Sequence, residues 1–186
     1  MRSGPRRAGA DVTEKWTSVS TPYLLPRAAG ESDAWTAEAP GRTSQRLTEV
    51  TMAQPPVEVA EALRLAAGDR AVVRRRLILL DGQPVELADS YYPPRIADAT
   101  PLAEPTKIPG GATTLLARLG YHVHRAVEDI EQRPAEPHET EALLLEPGAS
   151  VLTLTRTSYS ANGAPFEASL MVMKAPRRLR YELEIQ

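Results

Sequence analysis

The chain predicts an α+β fold, a mainly antiparallel β-sheet with short helices packed on it. Three observations carry that expectation. A helix–turn–hairpin unit occurs twice, about eighty residues apart. Each copy contains a strong hairpin dipeptide, Asp81-Gly82 and Asn162-Gly163, and a type I′ turn needs positive φ at both central residues, which these types tolerate. Hairpin connections dominate the rest of the chain, which favours antiparallel pairing.

The elements follow in order. Residues 1–42 carry Gly4-Pro5-Arg6-Arg7, Pro22, Pro26, Gly30 and Pro40-Gly41 with no sustained period of 2 or 3.6, so they are expected to form a linker or tail. Tyr23-Leu24-Leu25 and Trp35 are its only candidate docking points. Ser44 to Met52 alternates as a strand that ends at Pro55-Pro56. Val57 to Ala66 places Val59, Leu63 and Ala66 on one helical face, with Pro56 suited to the first turn and Gly68 to the stop. Ala71 to Leu80 and Val85 to Tyr92 form the first hairpin, closed by Pro93-Pro94. Ile96 to Ile108 reads as short helix and loop, and Thr113 to Leu119 as a short helix stopped by Gly120. Tyr121 to Gln132 reads as a strand, Pro134 to Leu145 as the second unit's helix, and Val151 to Met173 as its hairpin. Leu179, Tyr181, Leu183 and Ile185 share one face of a final strand. The expected total is six or seven strands and three or four short helices.

Composition narrows the chemistry. A net charge of -2 over 186 residues gives no basic field to hold a phosphate backbone, so this chain alone is not expected to bind DNA. With no cysteine there is no disulfide, thiolate nucleophile or Cys-based zinc site. No window approaches 18 consecutive apolar residues and no signal peptide is legible, so a soluble, cytoplasmic protein without membrane contact is expected. The serine-hydrolase elbow, the phosphate loop, the dinucleotide fingerprint and the zinc-protease helix are all missing, and no catalytic residue, metal site or cofactor is expected.

A few clusters carry potential chemistry. His122 and His124 stand two apart on a probable strand, with Glu128 further along, a spacing able to share a metal; solvent-facing strand histidines are the commoner outcome. Within Arg74-Arg75-Arg76, alternation sends Arg74 and Arg76 to one face, where two guanidinium forks would grip a carboxylate or phosphate if that face meets a pocket. Cross-strand pairing of that face with Glu86 or Asp89 on a wet surface is at least as good an account. Pro109-Gly110-Gly111-Ala112-Thr113-Thr114 sets small residues and free N–H groups at a helix start, suited to an anion or to an ordinary threonine cap. Glu167 lies among Phe166, Leu170, Met171, Val172 and Met173, where burial is costly unless something pairs with it.

Taken together these residues resemble the UTRA domain, the effector-binding half of HutC-type GntR-family transcription regulators. The resemblance spans about Thr43 to Ile185. It is carried by the 57–69 helix and turn, Val72-Val73-Arg74-Arg75-Arg76-Leu77 with Asp81-Gly82-x-Pro84, Asp89-Ser90-Tyr91-Tyr92-Pro93, the 116–120 helix end, and the second unit's Gly-x-Pro-Phe-Glu. It implies a chorismate-lyase-like α+β fold for residues 43–186, a homodimer, and a pocket for a small-molecule effector beneath the sheet. It also implies operator DNA binding through an N-terminal winged helix-turn-helix that this chain does not contain, with Met1 to Arg7 resembling the basic end of its wing. Of the residues that bind sugar phosphates in such domains, Arg76 and Glu167 match; Ile78 stands for a second arginine, Ala88 for a glutamate, Gly111 and Thr113 for serine and tyrosine, and Met173 for a late tyrosine. Ser44 matches a hydroxyl on the first strand. The implied ligand-binding set is Ser44, Arg74, Arg76, Gly111, Thr113, Glu167 and Met173, and the implied ligand is more apolar or differently charged than a phosphosugar. The alternatives are a chorismate-lyase-like enzyme, for which Arg74 with Arg76 would grip the two carboxylates, and a headless dimerisation module that modulates full-length regulators.

Overall fold

The order of strands explains the duplication. In the computed structural model, which describes residues 16–27 and 41–182, six strands form one antiparallel sheet: β2 (Thr43–Ala53), β3 (Ala71–Leu80), β4 (Gln83–Tyr92), β5 (Arg125–Pro134), β6 (Ser150–Tyr159) and β7 (Pro165–Lys174). Their order is β2-β3-β4-β7-β6-β5, so the two units meet at β4 and β7 and mirror each other outward. Unit one is β2, helix α2 (Val57–Ala62), β3 and β4; unit two is β5, helix α5 (Pro137–Ala142), β6 and β7.

Helices α2 and α5 cover one face. Val59 and Leu63 pack with Ala71, Val73, Tyr91 and Ala168, while Leu143 packs with Leu77 and Val151. Full burial of side chains such as Leu63 and Leu143 contributes about 1.5–3 kcal/mol each. The other face carries α3 (Pro94–Ala97) and α4 (Gly111–Arg118), whose Ile96, Ala97 and Leu116 enclose Tyr92, Val72 and Phe166. Alternation along the strands therefore divides the sheet between a helix-backed face and a face that is only partly filled.

Several boundaries move from the sequence expectation. Helix α2 ends at Ala62 because Arg64 turns left-handed, at φ 54°, and Leu65 N–H donates to Ala60 O, a Schellman closure well before Gly68. Helix α5 repeats this with Leu144 at φ 51° and Leu145 N–H on Thr140 O, and it begins at Pro137 rather than Pro134. At the first hairpin Asp81 and Gly82 both have positive φ, 50° and 79°, as a type I′ turn requires. The second hairpin differs: of its turn residues only Gly163 has positive φ. Gly163 N–H donates to Ser160 O, Ser160 N–H to Ala164 O, and the Asn162 side chain accepts from Ala164 N–H. This is a type I turn completed by a left-handed glycine, so the one-residue-longer loop overrides the dipeptide preference.

Residues 121–124 precede β5 instead of belonging to it. Tyr121 N–H closes the end of α4 on Leu116 O, and its ring packs 5.7 Å from Phe166. His122 and His124 are exposed there. Among the described residues no group of three His, Asp or Glu side chains is placed to hold a metal.

The expected linker is partly structured. Within it, β1 (Trp16–Val19) pairs in parallel with β8 (Arg177–Arg180), and α1 (Thr21–Leu24) follows. The final strand is thus Arg177–Arg180, short of the Leu179–Ile185 run, whose last residues, like Trp35, lie outside the described residues. Among the described residues no helix is long and apolar enough to cross a membrane.

Candidate functional site

A cavity of about 380 Å³ lies on the half-filled face of the sheet, walled by the start of α4 and by the β1–α1 segment with β8. Register fixes its floor. One row across the sheet reads Arg76, Ala88, Met171, Leu154, and the next reads Arg74, Ser90, Ser169, Arg156, Glu128. Ile78, Glu86 and Met173 form a third row at one end, and Glu167 lies beside Tyr92 and Ser158 at the other.

Arg76 lines the cavity. Its Nη2 donates to Ser90 Oγ at 2.7 Å, and Ser90 shares a hydrogen bond of 2.9 Å with Ser169 across the unit boundary. Among the described residues its buried Nε has no hydrogen-bond partner. A guanidinium with a buried unpaired N–H and a neutral hydroxyl beside it has the chemistry to take an anionic group, because such a group would restore what burial removes.

Glu167 lines the same cavity and accepts from Tyr92 Oη at 2.9 Å. Burial pushes its carboxyl above the ordinary range, and Tyr92, Arg76 and Arg156 offset that only in part. Burial and the Glu167 charge together raise the Tyr92 phenol, so that proton stays on the tyrosine. The carboxyl of Glu167 is therefore able to accept from, or when protonated donate to, a polar group of a ligand. Met173, 2% exposed, and Met171 supply the adaptable apolar wall.

Gly111 and Thr113 sit at the start of α4. Gly110 and Gly111 both have positive φ, 76° and 80°, which opens the backbone toward the cavity without a side-chain cap. Thr113 Oγ1 donates to Tyr23 O at 3.3 Å, and Thr114 Oγ1 accepts from Arg27 N–H at 3.1 Å. Tyr23, Leu24 and Leu25 line the cavity, so the one apolar stretch of the expected linker that is described does dock.

Two expected site residues fall elsewhere. Arg74 shares the face of Arg76, but its Nη1 donates to the carbonyls of Pro101, Leu102 and Glu104 and its Nη2 to that of Thr106, at 2.7–3.2 Å. Those carbonyls belong to the loop between α3 and α4, which has no ladder of its own, so Arg74 holds the loop and has little left for a ligand. It borders only a neighbouring depression. Ser44 is exposed and borders that same depression; its strand neighbour Gln45 is the β2 residue that reaches the main cavity, since consecutive side chains point oppositely. The third arginine of the run, Arg75, pairs on the other face with Glu49 and Asp89, each at 3.3 Å, so Asp89 meets Arg75 and not the face of Arg74 and Arg76.

Sequence reasoning missed a second set of polar residues. Arg156 Nε bonds Glu128 at 2.5 Å, and the other Glu128 oxygen accepts from Ser20 Oγ and Tyr181 Oη, both at 2.7 Å. Burial alone would raise the Glu128 carboxyl, but Arg156 and the two hydroxyls bring it below its ordinary value. Glu86, 4% exposed, meets Arg177 of β8 at 3.3 Å. A signal existed: Glu86 and Glu167 each stand four residues past the turn glycine of their hairpin, Gly82 and Gly163, so the duplication places both carboxylates on one face.

Comparison with known proteins gives a consistent picture. The family model described as the UTRA domain matches residues 39–177. An uncharacterised HTH-type transcriptional regulator of Streptomyces coelicolor is 31% identical over 139 residues, covering 73% of this chain and 52% of that protein. An HTH-type transcriptional regulator of Mycobacterium tuberculosis is 32% identical over 136 residues, covering 70% and 47%. The chain thus spans about half the length of the curated relatives it matches. The solved ligand-binding domain of a Bordetella bronchiseptica protein assigned to the GntR family of transcriptional regulators superposes with a TM-score of 0.67 at 26% identity, covering 87% of this chain and 96% of that one.

Proposed function

Since the chain belongs to the UTRA domain family, we propose that it is the ligand-sensing and dimerising part of a GntR-type transcription regulator, with no chemistry of its own. Residues 43–186 make the effector-binding unit and residues 1–42 the linker from a winged-helix head that binds operator DNA. The observation that carries the proposal is the cavity of about 380 Å³, within the usual size of a small-metabolite site, with Arg76 and Glu167 on its floor. Arg76 takes an anionic group of the effector, Glu167 a hydroxyl or amine, and Met171, Met173, Leu154 and Ile78 its apolar part. Gly111 and Thr113 border the site from the start of α4. With Ile78 where a phosphate clamp has its second arginine, a carboxylate on a largely apolar body suits the site better than a phosphosugar. The effector shifts a dimer between two arrangements, and its differential affinity for them sets the change in operator affinity.

Native mass spectrometry of the intact chain purified from its host tests this. A dimer with a defined bound mass, lost in Arg76→Met, supports the sensor. A monomer that turns chorismate over replaces it with the enzyme reading.

A further inference from the structure

The duplication that built the sheet produced two copies of an arginine and a glutamate on the cavity face, and the copies are used differently. Arg76 lies opposite Ala88, and Arg156 opposite Ser169; Ala88 and Ser169 each stand six residues past their turn glycine. Arg76 and Arg156 are therefore equivalent positions of the two units, as are Glu86 and Glu167. All four side chains line the one cavity. Among the described residues Arg76 and Glu167 hydrogen-bond only to the neutral hydroxyls of Ser90 and Tyr92. Arg156 and Glu86 are instead engaged with charged partners, Glu128 and Arg177.

Those charged partners lead to the cover of the cavity. Arg177 belongs to β8, and Glu128 accepts from Ser20, between β1 and α1, and from Tyr181, just past β8. The cover consists of β1, α1 and β8: β1 and β8 pair with each other in a two-stranded sheet separate from the main one, and residues of all three line the cavity. Tyr23 and Leu24 are half-buried against the cavity while Val19 and Leu25 are 39% and 56% exposed, so charge-assisted bonds to the floor add to a limited apolar contact.

We propose that the two copies have divided the work: Arg156 with Glu128, and Glu86, are positioning residues that latch this cover over the cavity, while Arg76 and Glu167 are left to the ligand. The proposal rests on the cavity being the effector site. It adds that effector exchange requires release of the cover at Glu128 and Glu86. Because β1 and α1 lie in the segment read as the linker, the latch also joins the cavity floor to that segment.

Hydrogen exchange on the intact chain without added ligand tests the latch independently of any effector. The amides to follow are those of residues 17–19 and 178–180 and that of Arg27, against the amides of β3 and β4 as an internal reference. In Glu128→Ala and Glu86→Ala, exchange of the cover amides should rise by about tenfold or more, the effect of losing a charge-assisted bond, with the reference amides unchanged. Arg76→Met should leave the cover amides at the wild-type rate. The latch is overturned if cover exchange stays at the wild-type rate in both latch variants, or if Arg76→Met accelerates it as much as they do. Should either alanine variant unfold as a whole, Ser20→Ala and Tyr181→Phe each remove one neutral donor to Glu128. Faster exchange confined to the cover in those variants supports the latch, and wild-type rates overturn it.

Discussion

Glu139 anchors the second unit, and replacing it measures how strongly. Its side chain is 3% exposed and receives a fork from Arg133, Nη1 to Oε2 at 2.7 Å and Nη2 to Oε1 at 2.6 Å. Oε2 also accepts from Glu136 N–H at 2.8 Å, which completes a capping box at the start of α5. The hydrogen bonds from Arg133 hold the Glu139 carboxyl below its ordinary range against the opposing effect of burial, and the Glu136 N–H adds to them. Glu139→Ala strands a guanidinium and a backbone N–H. A fully buried pair broken in this way costs about 3–5 kcal/mol, and the 34% exposure of Arg133 lets water take part of the load, leaving about 2–3 kcal/mol. Urea unfolding at pH 7 measures it, and a double-mutant cycle with Arg133→Met isolates the coupling, expected at about 1–2 kcal/mol. The pH dependence has a definite sign. A carboxyl whose folded pKa is depressed contributes stability above its unfolded pKa and loses it as the pH falls through the folded one. The wild-type advantage over Glu139→Gln should therefore shrink on acidification below about pH 4.3, the unperturbed glutamate value. A loss below about 0.5 kcal/mol for Glu139→Ala, or no coupling in the cycle, would refute the view that this fork holds the helix start.

Two further substitutions test strain and site chemistry. Arg64 and Leu144 hold left-handed positions that usually go to glycine, and Leu144 is 66% exposed, so Leu144→Gly should raise stability by about 0.5–1 kcal/mol; a decrease in the unfolding midpoint would contradict the strain argument. Glu167 shows the opposite linkage to Glu139. With its folded pKa raised, it costs stability as the pH rises from the unfolded value through the folded one, so Glu167→Gln should be more stable than wild type near pH 8 and nearly equal to it near pH 4. Thermal melts at the two values check this, and an unchanged difference would show that the carboxyl is not held in a desolvated wall.

Much of the floor of the site was legible in the chain. The turn residues marked both hairpins, the repeat implied one sheet built twice, and period-2 alternation set Arg74 and Arg76 on one face and Arg75 on the other, because these depend on neighbours a few residues apart. Which arginine meets the cavity was not legible. Arg74 and Arg76 are equivalent by alternation, and only the passage of the 101–106 carbonyls over Arg74 separates them. Ser44 and Gln45 show the same limit: the loose alternation of β2 left its register open until pairing with β3 set it. The cover was the least legible part. β1 and β8 are four residues each, too short to show a period, and they pair across most of the chain length, Trp16 with Arg177. Local sequence thus determined the hairpins, the repeat and the face of each strand residue. The tertiary structure alone decided which of four duplicated charges meet charged partners and which meet neutral hydroxyls, because a charge takes its role from the partner that folding brings beside it.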